Sequence, residues 1–171
     1  LLLRPISPIL DAVAQEAAGK VVYLVFIVPI LIMQAFVLKP ELELTLLNGL
    51  VFLPALLLAW ALRFFWGYWL ALLAFWATRA DALLALQDSL VFLLAGQVAP
   101  VALLPGVLKT AAIALPFRYM VAFPVEVICG GLTKAQMLEG FAIQAGWLAL
   151  AVALYAVLWR RGLTHYTAVG G

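Results

Sequence analysis

Long apolar stretches, separated by short polar breaks, dominate the pattern of hydrophobic and polar positions along this chain. The clearest covers residues 21–38, where Gln34 is the only strongly polar side chain. These 18 residues, at about 1.5 Å each, form a helix of roughly 27 Å, close to the thickness of the hydrocarbon core of a bilayer. The pattern therefore predicts a membrane-spanning helix over 21–38, kinked at Pro29.

The same pattern predicts three further spans, over 54–78, 83–99 and 139–159. The apolar stretch over 46–78 is too long for one untilted helix and slightly short for two, so the number of spans within it stays open. We favour a re-entrant or tilted approach before Trp60, followed by one span. Within the last span, Gln144 is the only polar residue in the run 141–159.

Prolines divide the segment 100–136 into short apolar pieces, and none is long enough to cross a bilayer. These prolines are Pro100, Pro105, Pro116 and Pro124. Irregular backbone at membrane depth has to be buried in protein or line a cavity. The segment is therefore predicted to be buried in protein or re-entrant.

Residues 8–19 have a different, amphipathic pattern. Ser7 is a candidate N-cap, Pro8 suits the first helical position, and Gly19 with Lys20 indicates the end of a helix of about three turns. One face is apolar, and the other carries Asp11, Gln15 and Glu16. The pattern predicts a surface helix that is too polar to span.

Composition supports lipid as the solvent. Hydrophobic residues make up 68% of the 171 residues and charged residues 11%, against about 45–50% and about 25% in soluble domains. A soluble fold of this size would leave much of that apolar surface in water. We therefore predict an all-α fold, a single transmembrane domain over 1–171 with about four spans and membrane lipid as its surroundings.

Charge and cysteine content exclude several functions. The formal net charge is +2 and the cations are scattered, so the sequence does not predict a nucleic-acid partner. The single cysteine, Cys129, excludes an intrachain disulfide and a multi-cysteine metal site. The chain starts without Met and its first 20 residues lack a signal peptide, so we expect a missing N-terminal part.

The basic pair Arg160 and Arg161 follows the last predicted span, as cytoplasmic anchors do. Alternating the four spans from this end puts the tail 160–171 and the helix 8–19 in the cytoplasm. The segment 100–136 then lies outside. Five cations lie inside and four outside in this orientation, so the charge bias in its favour is weak.

Several motifs, in this order and spacing, resemble the type-2 permeases of bacterial ATP-binding-cassette (ABC) exporters. They are Leu2-Leu3-Arg4-Pro5, Leu73-Ala74-Phe75-Trp76-Ala77-Thr78, Leu115-Pro116-Phe117-Arg118-Tyr119, Phe123-Pro124-Val125-Glu126, and the tail from Trp159-Arg160-Arg161-Gly162 through Tyr166 to Ala168-Val169-Gly170-Gly171. The resemblance covers the whole chain but only the C-terminal two-thirds of such a permease. It implies six transmembrane helices in the complete protein, of which this chain would hold helices three to six.

The resemblance also implies partners and a location. The helix 8–19 would be the coupling helix. Asp11 and Glu16 in this helix, with Arg4 and Ser7 just before it, would contact a separate ATPase. Two copies of that ATPase would carry ATP and magnesium, and a second permease, identical or paralogous, would complete the complex in the bacterial inner membrane. The alternative for this helix is that it merely rests on lipid headgroups.

No cofactor or metal is expected on this chain, because it has no Gly-x-x-x-x-Gly-Lys-Ser/Thr phosphate loop and no catalytic constellation. His165 has no Cys, Asp or second His nearby that would make a metal site or a nucleophile relay, so it is expected to be a solvated tail residue. The predicted function is therefore a permease that is not itself an enzyme. The alternative is an ion-gradient-driven transporter or channel, for which Asp88 would have to serve as the intramembrane acid.

Four polar residues within the predicted spans are candidates for the translocation path: Arg63, Gln87, Asp88 and Gln97. Each has an alternative. Arg63 lies among aromatic residues, which favours a side chain that reaches the membrane surface. For Asp88 the alternative is interfacial capping or pairing with Arg79, and for the two glutamines it is hydrogen bonding between helices.

Two opposite charges lie in the predicted external segment, Arg118 and Glu126. They are expected to pair with each other, and the alternative is contact with exported substrate.

Overall fold

The computed structural model describes residues 8–39, 45–73, 76 and 80–169, without the side chains of residues 80, 81 and 163–169. Every regular element in these ranges is helical, as the all-α prediction requires. Helix α1 (Pro8–Leu38) forms one compact unit, and the helices that follow Thr45 form another.

Helix α1 is continuous over 31 residues. The prediction that a surface helix ends at Gly19 is therefore wrong. Nothing lies within 4 Å of the place where Gly19 would carry a Cβ, and a glycine inside a helix costs only about 1 kcal/mol relative to alanine. Lys20 Nζ pairs with Glu16 Oε1 at 2.9 Å, one turn apart across this glycine, which stabilises the helix.

Helix α2 (Leu46–Leu72) is also a single element, and it continues through Pro54. It starts eight residues before the predicted span 54–78, so the approach before Trp60 belongs to the same helix. A helix of 27 residues is about 40 Å long, which exceeds the hydrocarbon core, and a helix of this length is able to span a bilayer when it is tilted.

Helix α3 (Ala80–Leu94) has 15 residues and ends before residue 99, the predicted limit. The chain leaves the helix at Gly96, which has φ +82°. Only glycine adopts this left-handed conformation without a steric penalty. The helix is about 22 Å long, shorter than the hydrocarbon core.

The segment 100–133 is broken into short pieces, as its prolines predict. A 3-10 turn (Val101–Leu103) is followed by α4 (Gly106–Ala114), α5 (Phe117–Met120) and α6 (Ala122–Ile128). Pro100, Pro105 and Pro116 each occupy the position just before one of these elements.

Helix α7 (Lys134–Val169) has 36 residues and extends beyond the predicted span 139–159 at both ends. Thr133 caps its start, because Thr133 Oγ1 accepts a hydrogen bond from Gln136 N at 3.3 Å while Gln136 Oε1 accepts one from Thr133 N at 2.9 Å. Residues 160–169, predicted as a tail, are helical.

Among the described residues, α1, α2 and the part of α7 over Lys134–Gly162 are long and apolar enough to cross a membrane. The apolar part of α3 is shorter. In the second unit, α2 packs along α7 and also against α6 and α3. The buried core between them includes Ala55, Leu62, Val91, Tyr119, Phe123, Val127 and Ala151.

Candidate functional site

A short ion pair joins α5 to α6. Arg118 Nη2 donates to Glu126 Oε2 at 2.6 Å, and the two side chains are only 20% and 29% exposed. The guanidinium carbon of Arg118 also lies 5.7 Å from the ring centre of Tyr119, within cation–π range. The predicted pairing of these two residues is confirmed.

Burial and charge act in opposite directions on Arg118. Burial lowers the pKa of the guanidinium, but the hydrogen bond and negative charge of Glu126 more than offset this and raise it above its ordinary value. The pKa of Tyr119 is raised as well, because burial of the phenol outweighs the opposing effect of Arg118. Arg118 Nε is buried and has no hydrogen-bond partner among the described residues.

A cavity of about 470 Å³ adjoins this pair. It is partly open, and it is lined by the turn after α3, the 3-10 turn, α4, α5, α6 and the turn before α7. Its walls are mainly apolar, and three charged side chains line it: Lys109, Arg118 and Glu126. Gly96 lies in its wall, where an added Cβ would come within 3.2 Å of Ala122 Cβ.

Arg118 also lines a second cavity of about 170 Å³, which α4, α5, α6 and α7 enclose. Polar atoms are supplied there by Tyr119, Gln136 and Glu139. Arg118 therefore lies at the boundary between an apolar cavity and a smaller polar one.

A second ion pair joins α2 to α3. Arg63 Nη2 lies 3.3 Å from Asp88 Oδ1, and the two side chains are 40% and 65% exposed. Arg79, the alternative partner for Asp88, lies outside the described residues. Pairs this exposed contribute little to stability, about 0–1 kcal/mol.

Gln87 is buried beside this pair, with only 7% of its surface exposed. It packs against Gly67, where an added Cβ would lie 3.5 Å from Gln87 Nε2. Gln87 Oε1 has no hydrogen-bond partner in the part of the chain that the structure describes. The structure pairs Arg63 with Asp88 and places Gln87 against Gly67, one turn after Arg63 on α2. Gln97 lies in an exposed bend beyond the end of α3.

Gln144 is the residue whose role the sequence analysis missed. It is fully buried, and its Nε2 donates to the carbonyl oxygens of Tyr119 at 2.9 Å and Ala55 at 3.1 Å. One amide group thereby joins α7, α5 and α2. The sequence does show Gln144 as an isolated polar residue in an apolar span. It does not indicate the partners of Gln144, which lie 25 and 89 residues away.

The proposed coupling residues are only partly described. Arg4 and Ser7 lie outside the described residues. Asp11 and Glu16 lie in the first turns of α1, where Asp11 Oδ2 accepts from Gln15 Nε2 at 2.9 Å and Glu16 pairs with Lys20.

Comparison with known proteins identifies the family of the chain. The family described as "ABC-2 family transporter protein" matches residues 1–170. No curated protein and no solved structure matches the chain.

Proposed function

Since the chain belongs to the ABC-2 transporter family and is therefore a membrane permease subunit of an ABC transporter, we propose that it exports its substrate with ATP hydrolysed by separate partner subunits. Two ATPase copies, holding ATP and magnesium, would act on two permeases, identical or paralogous, in the bacterial inner membrane. The family match is the observation that carries this proposal.

The continuity of α1 supports a mechanical coupling. Polar and charged side chains occupy its first turns up to Lys20, and the apolar part that follows matches the hydrocarbon thickness. Because the helix has no break at Gly19, a displacement applied near Asp11 and Glu16 moves the apolar part with it. ATP-driven closure of the partner would in this way favour one arrangement of the permease over another.

The contact between α2 and α3 supports a place for the translocation path. The exposed Arg63–Asp88 pair costs little to break, and the buried oxygen of Gln87 lacks a partner that a polar substrate or water would supply. We assign these three residues to the path. Asp88 is largely exposed and paired with an arginine, so it lacks the burial that a proton-relay acid would have.

Partner coupling is tested by reversing the charges at the start of α1. The permease should co-purify with an ABC ATPase, and the double variant Asp11→Lys, Glu16→Lys should lose that ATPase. Lys39→Glu, at the other end of the same helix, is the matched control and should retain it. If the unmodified permease, the double variant and the control all retained the ATPase equally, the assignment of Asp11 and Glu16 would be contradicted.

Direction and energy source are tested in inside-out membrane vesicles. An exporter accumulates substrate inside such vesicles when ATP is added, and vanadate should abolish this uptake. Uptake that resists vanadate but is dissipated by a protonophore would support the ion-gradient-driven alternative.

A further inference from the structure

The larger cavity has an excess of positive charge. Lys109 and Arg118 contribute two cations and Glu126 one anion to its lining, so the charged side chains sum to +1. Glu126 is already engaged by Arg118 at 2.6 Å. Within the described residues, no carboxylate lies within ion-pairing distance of Lys109, which projects from an exposed position on α4.

Arg118 retains donors that Glu126 does not use. A guanidinium has five N–H groups in a planar fork, and one of them serves the short bond to Glu126. Its Nε is buried without a partner among the described residues. Leaving a buried donor unsatisfied is costly, so an acceptor group placed beside this fork would be stabilised.

The rest of the lining is apolar. Ile113, Val121 and Val125 are among its walls, and Ile113 and Val125 are 43% and 50% exposed. At about 470 Å³ the cavity lies within the size range of small-molecule sites, about 300–1,000 Å³. A wholly polar anion would make no apolar contact with these walls, and a neutral hydrocarbon would leave Lys109 without a counter-charge.

We propose that this cavity binds an anionic amphiphile, with its phosphate or carboxylate against Lys109 and Arg118 and its alkyl chain against Ile113, Val121 and Val125. Net positive charge disfavours a cationic ligand in the same place. The anionic head is supplied either by a membrane phospholipid or by a smaller alkyl phosphate of cargo size. The proposal stands on the cavity alone and does not depend on the direction of transport.

Binding is tested on the detergent-purified permease by native mass spectrometry with phosphatidylglycerol and with phosphatidylcholine of the same acyl chains. Phosphatidylglycerol should bind more tightly, and Lys109→Gln should weaken it about tenfold, the loss of one charge-assisted hydrogen bond. Phosphatidylcholine should be unaffected by this change. Lys134→Gln is the control, because Lys134 at the start of α7 is an exposed cation that does not line the cavity.

Filling the cavity provides a test that leaves its charge unaltered. Ala102 lines the cavity from an exposed position on the 3-10 turn, so Ala102→Trp should lower phosphatidylglycerol binding without removing a cation. An unchanged affinity in both Lys109→Gln and Ala102→Trp, or an equal loss in Lys134→Gln, would overturn the proposal.

Competition separates the sources of the head group. Octyl phosphate should displace phosphatidylglycerol, and inorganic phosphate at the same concentration should not. If phosphatidylglycerol stays bound through purification, the site belongs to membrane lipid. If phosphatidylglycerol is lost but octyl phosphate still binds, the site belongs to a smaller amphiphile. Equal competition by inorganic phosphate would show that the apolar walls contribute nothing, against the proposal.

Discussion

Gly140 on α7 lies against the aromatic ring of Phe123 on α6, so close that a Cβ at residue 140 would come within 2.6 Å of Phe123 Cζ. The ring cannot move aside freely, because Phe123 is only 1% exposed and packs edge-to-face against Phe141. Absence of a side chain at residue 140 is therefore what permits this approach of the two helices.

Gly140→Ala should destabilise the permease by about 1–3 kcal/mol, because the added methyl group overpacks the contact with Phe123. Reversible unfolding in mixed micelles measures the change. Gly146→Ala, on the same helix, is the control: nothing lies within 4 Å of its added Cβ, so it should be neutral or stabilising by up to about 1 kcal/mol. Similar unfolding free energies for the two variants would contradict this account.

Gln144→Leu should cost about 1–3 kcal/mol of unfolding free energy, because the carbonyl oxygens of Tyr119 and Ala55 lose the donor that reaches them. Unfolding in mixed micelles again provides the measurement. Gln97→Leu, in the exposed bend after α3, should change stability by less than about 0.5 kcal/mol. A Gln144→Leu protein as stable as Gln97→Leu would show that these hydrogen bonds do not hold α2, α5 and α7 together.

The length of the apolar runs was sufficient to predict the helical class, because residues 21–38 and 139–159 have almost no polar side chains. It did not predict where helices end. Gly19 has the sequence signature of a helix terminus, but the Glu16–Lys20 pair lies across it and nothing requires a turn there. Gly96 does end α3, and its positive φ was not anticipated, since the apolar run continues past it.

The site was predictable only where charges lie close in sequence. Arg118 and Glu126 are eight residues apart in a proline-broken segment, so their pairing followed from opposite charge. Gln144 depends on carbonyl groups of α2 and α5, and Asp88 pairs with Arg63, which lies 25 residues away. Such contacts arise from helix packing, which a single sequence does not specify.

The two ion pairs should differ in strength. A double-mutant cycle with Arg118→Gln and Glu126→Gln should give a coupling energy of about 1.5–3 kcal/mol, because the pair is largely buried and its hydrogen bond is short. The corresponding cycle with Arg63→Gln and Asp88→Asn should give about 0–1 kcal/mol, since that pair is more exposed and longer. A larger coupling at Arg63–Asp88 would contradict the order derived from burial.

The coupling energy of the Arg118–Glu126 pair should change little between neutral and mildly alkaline pH. The pKa of Arg118 is raised above an ordinary value that is already high, so its stabilising charge is present below that value and is lost only as pH rises through the raised one. The Arg118–Glu126 coupling energy should therefore be equal at neutral and mildly alkaline pH. A fall in the coupling over this interval would show that Arg118 is less tightly held than the 2.6 Å bond indicates.

Gly96→Ala should destabilise the protein by about 1–2 kcal/mol, the penalty for a Cβ in the left-handed conformation that this residue adopts at φ +82°. The Cβ would also approach Ala122 Cβ to 3.2 Å across the wall of the larger cavity. Because Gly96 lines that cavity, phosphatidylglycerol binding should weaken together with stability. Gly106→Ala, at the exposed start of α4 with nothing within 4 Å of its added Cβ, should leave both unchanged. Suppose instead that Gly96→Ala has the same unfolding free energy and the same affinity for phosphatidylglycerol as Gly106→Ala. The turn at Gly96 would then not be what terminates α3 and shapes the cavity.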